Sequence, residues 1–411
     1  MSLPLSRLDS STAPPDVILA ALAGSAALLL GPLVAIAPRG LPVWAILFTV
    51  ISIAGLARRN ALGRMQRALP GTAVVLLFLI LATVSVLWSP SPRAGVTVLE
   101  IAYIGLGALA GGAWVSSLPA VEARRLAGLF LAGVFAGVAV FAVEAATDFP
   151  LHRWWNTVPA DFPVSESNVP KRTAVLLSLL VWPAAMALGR AGRRAFALLV
   201  PIGYAAVCLL LTSRSAMLGI AIGVVTFAVA AWSPRLVRGA LGTALAVAFV
   251  GVIPLVLTLD RVLDLDAAEW LFRSAQHRVE IWGMAADRAL TTPLFGQGID
   301  ASRALAPNGE VSRFGAITDS LLPLHPHNAF LQVWLELGAF GALLTLAASL
   351  LLLAGTARME REDQPFALAL FAAGLAMVST AYGIWQAWWM AGILASGLML
   401  RLAARAPSEG R

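Results

Sequence analysis

The chain alternates long apolar runs with short polar breaks that carry arginine. Apolar windows lie at roughly 17–36, 41–57, 71–88, 96–116, 126–146, 173–189, 195–212, 216–232, 240–257, 328–355, 365–383 and 386–403. A hydrocarbon core about 30 Å thick is spanned by such a run when it is helical, because a helix satisfies its own backbone without water. The pattern predicts an all-α, polytopic membrane protein with about 12 transmembrane helices, forming a single integral membrane domain over residues 1–411. Two breaks are longer than the rest, at 147–172 and 258–327. Within the second, Ala267 to Leu290 has helix-like composition, with Trp270, Leu271, Ala275, Val279 and Trp282 among its apolar positions, until Thr291-Thr292-Pro293 stops it. This predicts a helix lying across the membrane face.

Composition agrees with the pattern. Of 411 residues, 59% are hydrophobic and 12% charged, against about 25% charged in a soluble domain. The formal charge of +7 does not point to nucleic acid, since the basic residues sit in short loops between apolar runs, where they set topology. An N-terminus in the cytoplasm places Arg7, Arg58, Arg59, Arg64, Arg67, Arg124, Arg125, Arg190, Arg193, Arg194, Arg235, Arg238, Arg358, Arg361, Arg401, Arg405 and Arg411 on that side, 17 of the 29 basic residues. N-in, C-in is the favoured topology, and both long breaks then fall on the extracytoplasmic side. Cys208 is the single cysteine, so no intramolecular disulfide is possible. Ala35-Ile36-Ala37 resembles a signal cleavage site, but the apolar run before it is long for a signal peptide and reads as a retained first helix.

The polar groups collect at the mouths of the outward-facing helices. Glu100, Glu144, Arg172, Arg214 and His327 all fall there, while the helix centres carry almost no charge. That distribution weakens an ion-coupled transporter, whose sites lie near the bilayer midplane, and no repeat relates the first six windows to the last six. The richest stretch runs from His325 through Pro326, His327 and Asn328 into a long apolar helix. Pro326 disfavours helix at His325, and Asn328 is suited to cap the apolar run after it, so His327 sits at or before the first turn. There the helix dipole disfavours imidazolium and attracts an anion, so a base and an anion site would coincide. An interfacial histidine that merely orients its loop fits the same position. His325 reads as a supporting residue, Asn328 as the cap, Gly338 and Gly341 as close-packing points between helices, and Glu336 as a buried acid that needs a partner. Arg172, Arg214 and Arg278 carry the fork geometry that grips a diphosphate, although a loop arginine also serves as a lipid-headgroup anchor. Asp260, Asp264, Asp266 and Asp319 show no metal-ligand spacing, and no metal or other cofactor is expected.

His327-Asn328, nine residues, then Gly338-x-x-Gly341 resembles the O-antigen ligase and polymerase superfamily of bacterial envelope glycosyltransferases. Lys171-Arg172-Thr173-Ala174, Thr212-Ser213-Arg214-Ser215-Ala216, His277-Arg278-Val279-Glu280-Ile281-Trp282 and Pro293-Leu294-Phe295-Gly296-Gln297-Gly298 are similar to it as well, and the likeness covers roughly residues 70 to 400. The resemblance implies a lipid-bilayer enzyme of the bacterial inner membrane. It would transfer a glycan from undecaprenyl diphosphate to the lipid A core on the periplasmic face, without metal or nucleotide sugar. It also implies that His327 assists the acceptor hydroxyl and that Arg214 and Arg278, with Arg172 as a third member, hold the diphosphate. A polymerase of O-antigen, capsule or exopolysaccharide is the alternative, and a lipid-linked sugar transporter a more distant one.

Overall fold

Apolar side chains in long uninterrupted runs leave a backbone no better option than the helix, and the structure is helical with no strand among the described residues. The computed structural model describes residues 17–67, 71–156, 164, 168–209, 213–305 and 325–408. Thr212, Asp319 and the 306–324 part of the long break lie outside the described residues. In order, the α-helices of ten residues or more among the described residues are α1 Val17–Ile36, α2 Leu41–Arg58, α3 Thr72–Ser85, α4 Ala94–Ser117, α5 Ala120–Ala146, α6 Asn168–Arg190, α7 Leu199–Cys208, α8 Arg214–Trp232, α9 Pro234–Leu257, α10 Arg273–Thr291, α11 Ala329–Gly355, α12 Gln364–Val378 and α13 Ala387–Arg405.

Nine helical spans among the described residues are long and apolar enough to cross a membrane, and the chain is a multi-pass membrane protein. Three shorter apolar helices, Thr72–Ser85, Arg194–Cys208 and Gln364–Val378, occupy the remaining three of the twelve apolar windows. Hydropathy counts apolar residues whether or not they are helical. The window 365–383 therefore runs on past the end of α12 into Ser379–Gly383, which is not helical.

The helix α6 is the interior post, with 94% of its apolar window buried in the protein. Around it, α1 packs along α5 so closely that a Cβ on Gly31 would meet the Gly133 carbonyl oxygen at 2.0 Å. Small residues let helices approach where lipid supplies no hydrophobic drive between them. A second apolar core gathers α9, α10, α11 and the base of α13, with Phe249, Ile281, Phe330, Leu335 and Trp385 inside it.

The two ends of the bundle differ. At one, buried Arg190 grips Asp363 through Nε and one terminal nitrogen, Arg59 bonds Glu122 at 2.7 Å and Arg194 pairs with Glu362. At the other, the α1–α2 and α3–α4 connections, the start of α6, the helix α10, the start of α11 and the α12–α13 connection converge. The twelve-window pattern places these same connections on one side.

Candidate active site

Two local rules build the centre of the site. Asn328 is extended (φ −147°, ψ 109°), and its side-chain oxygen accepts from the backbone N–H groups of Phe330 at 3.1 Å and Leu331 at 3.2 Å. That is the expected N-cap. His327 immediately precedes it with φ 55°, a left-handed backbone. The ring is then fixed from outside, since its Nδ1 lies 2.6 Å from the carbonyl oxygen of Ala381 in the α12–α13 connection. A carbonyl only accepts, so Nδ1 holds the proton and Nε2 keeps its lone pair. His325 stacks edge-on at 4.3 Å, and its Nδ1 accepts from the His327 backbone N–H at 3.3 Å.

The helix α10 supplies the adjacent wall. Sequence placed its start at Ala267, whereas Ala267–Phe272 forms turns and the helix begins at Arg273; the stop at Thr291 is where Thr291-Thr292-Pro293 put it. Arg278 and Trp282 stand four residues apart on one helix face, and the Trp282 indole N–H donates to the Pro326 carbonyl at 2.8 Å. The bond clamps α10 to the histidine loop and brings Arg278 within electrostatic reach of both histidines. Burial pushes His327 down to about 4, with Arg278 and His277 adding to the effect and the Ala381 carbonyl opposing it. Burial likewise takes His325 to about 3, helped by His327, Arg303 and Arg278. His277 is also lowered by burial, with Glu280 pulling the other way. The neutral histidine expected at the helix mouth is present, and desolvation is its main cause.

Beneath the loop, α11 contains a break. Gly338 has φ 60° and ψ −159°, a conformation open in practice only to glycine. Around it the helix gives up its own bonds to the Pro293–Gly298 segment: Gln297 and Gly298 N–H donate to the Leu335 and Glu336 carbonyls at 2.9 and 2.8 Å, and Ala339 N–H donates to the Pro293 carbonyl at 2.8 Å. Gly338 is thus a docking point for a loop, which corrects the reading of it as a close-packing point between helices. At Gly341 an added Cβ would meet Leu337 of the same helix at 2.2 Å, so its tightness too belongs to the break.

Glu336 has the partners its position demanded. Fully buried, its carboxyl oxygens accept from Asp300 N–H at 2.5 Å, Ser302 Oγ at 2.6 Å, Trp385 Nε1 at 2.7 Å and Gln332 Nε2 at 3.0 Å. Gln332 in turn accepts from Ile384 N–H at 3.0 Å. One buried acid therefore joins α11 to the 300–303 turn and to the connection whose Ala381 carbonyl orients His327.

The three arginines are placed differently. Arg278 is beside the histidines. Arg172, in the first turns of α6, lies 6.0 Å from the Trp388 ring centroid and feels Tyr382 and Arg39 electrostatically. Arg214 is exposed, and its guanidinium sits over Phe272 at 4.5 Å. Phe272 ends the turns that precede α10, and Arg214 sits exposed there, at the rim and not at the centre. Sequence reasoning missed Tyr382. Burial raises its phenol to about 12, so it keeps its proton; Arg172 and Arg278 both pull the other way. Nothing local singles out this tyrosine, which follows an apolar run and precedes a tryptophan-rich one.

From the first turn of α11, where Ala329 and Phe330 line it, an apolar cleft of about 910 Å³ runs between α11 on one side and α12 and α13 on the other. It passes Leu370 and Gly374 and reaches Arg358 and Arg401 at the opposite end.

Residues 195–346 match the family model described as O-antigen ligase. Over that stretch the chain is similar to the O-antigen ligase family. The ligase-like stretch holds Arg214, Arg278, Glu336, His327 and both motif glycines, while Arg172 and the Ala381–Trp388 segment lie outside it. A protein of Rickettsia conorii named "Putative polysaccharide ligase" is 26% identical over 68% of this chain and 67% of its own length. One of Rickettsia felis with the same description is 26% identical over 65% of the chain and 64% of its own length. One of Rickettsia prowazekii is 31% identical over 28% of the chain and 29% of its own. The chain spans about two thirds of the length of the first two of these curated relatives.

Proposed function

We propose that the chain is a membrane glycosyltransferase of the O-antigen ligase type. It moves a glycan from undecaprenyl diphosphate to a hydroxyl of the lipid A core on the extracytoplasmic face of the bacterial inner membrane. The observation that carries the reading is the Ala381 carbonyl on His327 Nδ1, which leaves Nε2 as an acceptor beside Arg278. In the transfer, the acceptor oxygen forms a bond to the anomeric carbon as the bond from that carbon to the diphosphate oxygen breaks. Nε2 takes the hydroxyl proton, and the departing diphosphate carries the negative charge. Arg278, fixed by its helix in a desolvated place, stabilises that charge without reorganising. Diphosphate on Arg278 also offsets one of the influences that lower His327, so the base strengthens when the donor is bound. Arg214 at the rim meets the diphosphate as it enters, and the polyprenyl tail lies in the apolar cleft that opens at Phe330.

Purified protein in detergent, given a lipid-linked glycan and a core acceptor, tests the proposal. Wild type is expected to transfer the glycan with no membrane gradient, and His327→Ala to lose at least a hundredfold in kcat. Arg278→Lys should rescue poorly, because an ammonium lacks the planar fork. Transfer undiminished in His327→Ala would sink the assignment. In cells lacking the gene, core without any O-antigen indicates a ligase, whereas core bearing a single repeat unit indicates the polymerase alternative.

A further inference from the structure

The α12–α13 connection does more than orient His327. Tyr382 follows Ala381 directly, and its ring packs edge-on against Trp388 at 4.7 Å and near Trp389 at 6.3 Å. Those rings hold it from one side. Its hydroxyl has no hydrogen-bond partner among the described residues, although Arg172 from α6 and Arg278 from α10 both act on it. Neither guanidinium has an ion pair among the described residues, and both are half-buried. Arg39 from the α1–α2 connection adds a third positive charge against Arg172 and likewise has no ion pair among them. Elsewhere Arg190, Arg194, Arg261 and Arg303 meet carboxylates. Buried like charges without counter-charge cost free energy unless an anion completes them.

We infer that Tyr382, between Arg172 and Arg278, is a binding residue of an anion subsite that takes a phosphate or diphosphate group of the substrate, with the phenol O–H donating to it. The subsite is built by parts of the chain that converge only in the fold: α6, α10 and the α12–α13 connection. Arg278 stands on the histidine side, and Arg172 lies 6.0 Å from the Trp388 ring against which Tyr382 also packs. Trp388 and Trp389 make the phenol rigid, and a preset donor loses little entropy on binding. The identity of the substrate rests on the glycan-transfer reading; the existence of the anion subsite does not.

The test uses full-length protein in detergent and inorganic pyrophosphate as probe, with calorimetric titration of wild type, Tyr382→Phe and Arg172→Ala. Phenylalanine keeps the ring against Trp388 and removes only the hydroxyl, so a merely structural Tyr382 predicts unchanged binding. Loss of a hydrogen bond to a charged group is expected to weaken pyrophosphate about tenfold in Tyr382→Phe, and Arg172→Ala to weaken it further, with melting temperatures close to wild type. In steady-state transfer, Tyr382→Phe should raise KM and leave kcat within about threefold. A raised KM for the donor assigns the subsite to the donor's diphosphate, and a raised KM for the acceptor assigns it to a phosphate on the acceptor's sugar. Pyrophosphate binding by Tyr382→Phe equal to wild type overturns the inference. Wild type that binds pyrophosphate through Tyr382 yet transfers no glycan overturns the glycan-transfer reading and leaves the subsite standing.

Discussion

At the scale of single residues, the proposed transfer turns on a proton. His327 is held near 4 and His325 near 3, so both are neutral through the physiological range and transfer should be flat there on its acid side. The rate is expected to fall only as pH approaches about 4, read from a pH profile of kcat/KM. Arg278→Gln removes one cationic neighbour and should move that acid limb upward, while burial keeps it below the ordinary histidine value near 6.5. Stability follows the same sign. Between about 6.5 and 4 the unfolded histidines take up protons that the folded ones refuse, so the fold loses stability as pH falls through that window. Asn328 and His327 were legible in sequence because capping is local. The tautomer was not, since it is set by Ala381, 54 residues away.

At the scale of elements, the break in α11 decides how the loops sit. A Cβ on Gly338 would lie 2.4 Å from the Leu294 carbonyl carbon, in a backbone conformation that side chains rarely adopt. Gly338→Ala is therefore expected to cost about 2 kcal/mol or more and to release the Pro293–Gly298 segment. Limited proteolysis should then cut near residue 297 in the variant and spare the wild type. Equal resistance would show that the segment docks without the break. The two glycine-bearing motifs in the sequence, Pro293–Gly298 and Gly338-x-x-Gly341, turn out to be two halves of one contact. Spacing displayed each half; their meeting depends on how α10 returns along α11.

At the scale of the molecule, the apolar cleft that begins beside the histidine loop is where the proposed function puts the polyprenyl tail. Gly374 lines its middle, with the nearest side-chain atom 3.9 Å from a Cβ placed there. Gly374→Phe should fill the cleft without touching the polar face. Expected is a KM for a long polyprenyl donor raised by tenfold or more, with a farnesyl-length donor turned over as by wild type. Equal effects on both donors would place the tail elsewhere. The family match stops at residue 346, before α12 and α13, so the far wall of the cleft and the tyrosine beside the histidine both belong to a part of the chain that the family model does not reach.

The sequence by itself determined the class of protein and the local stops and starts: apolar runs that become helices, the cap at Asn328 and the end of α10 at Thr291. These are properties of a segment and its solvent, settled by transfer free energy and backbone geometry over a few residues. Only the tertiary structure decided that Arg278 stands beside His327 while Arg214 stays at the rim, that Gly338 opens a helix to a loop, and that Tyr382 comes within reach of Arg172 and Arg278. Each of those is a meeting of residues far apart in the chain, fixed by which helices pack together, and no local propensity encodes it.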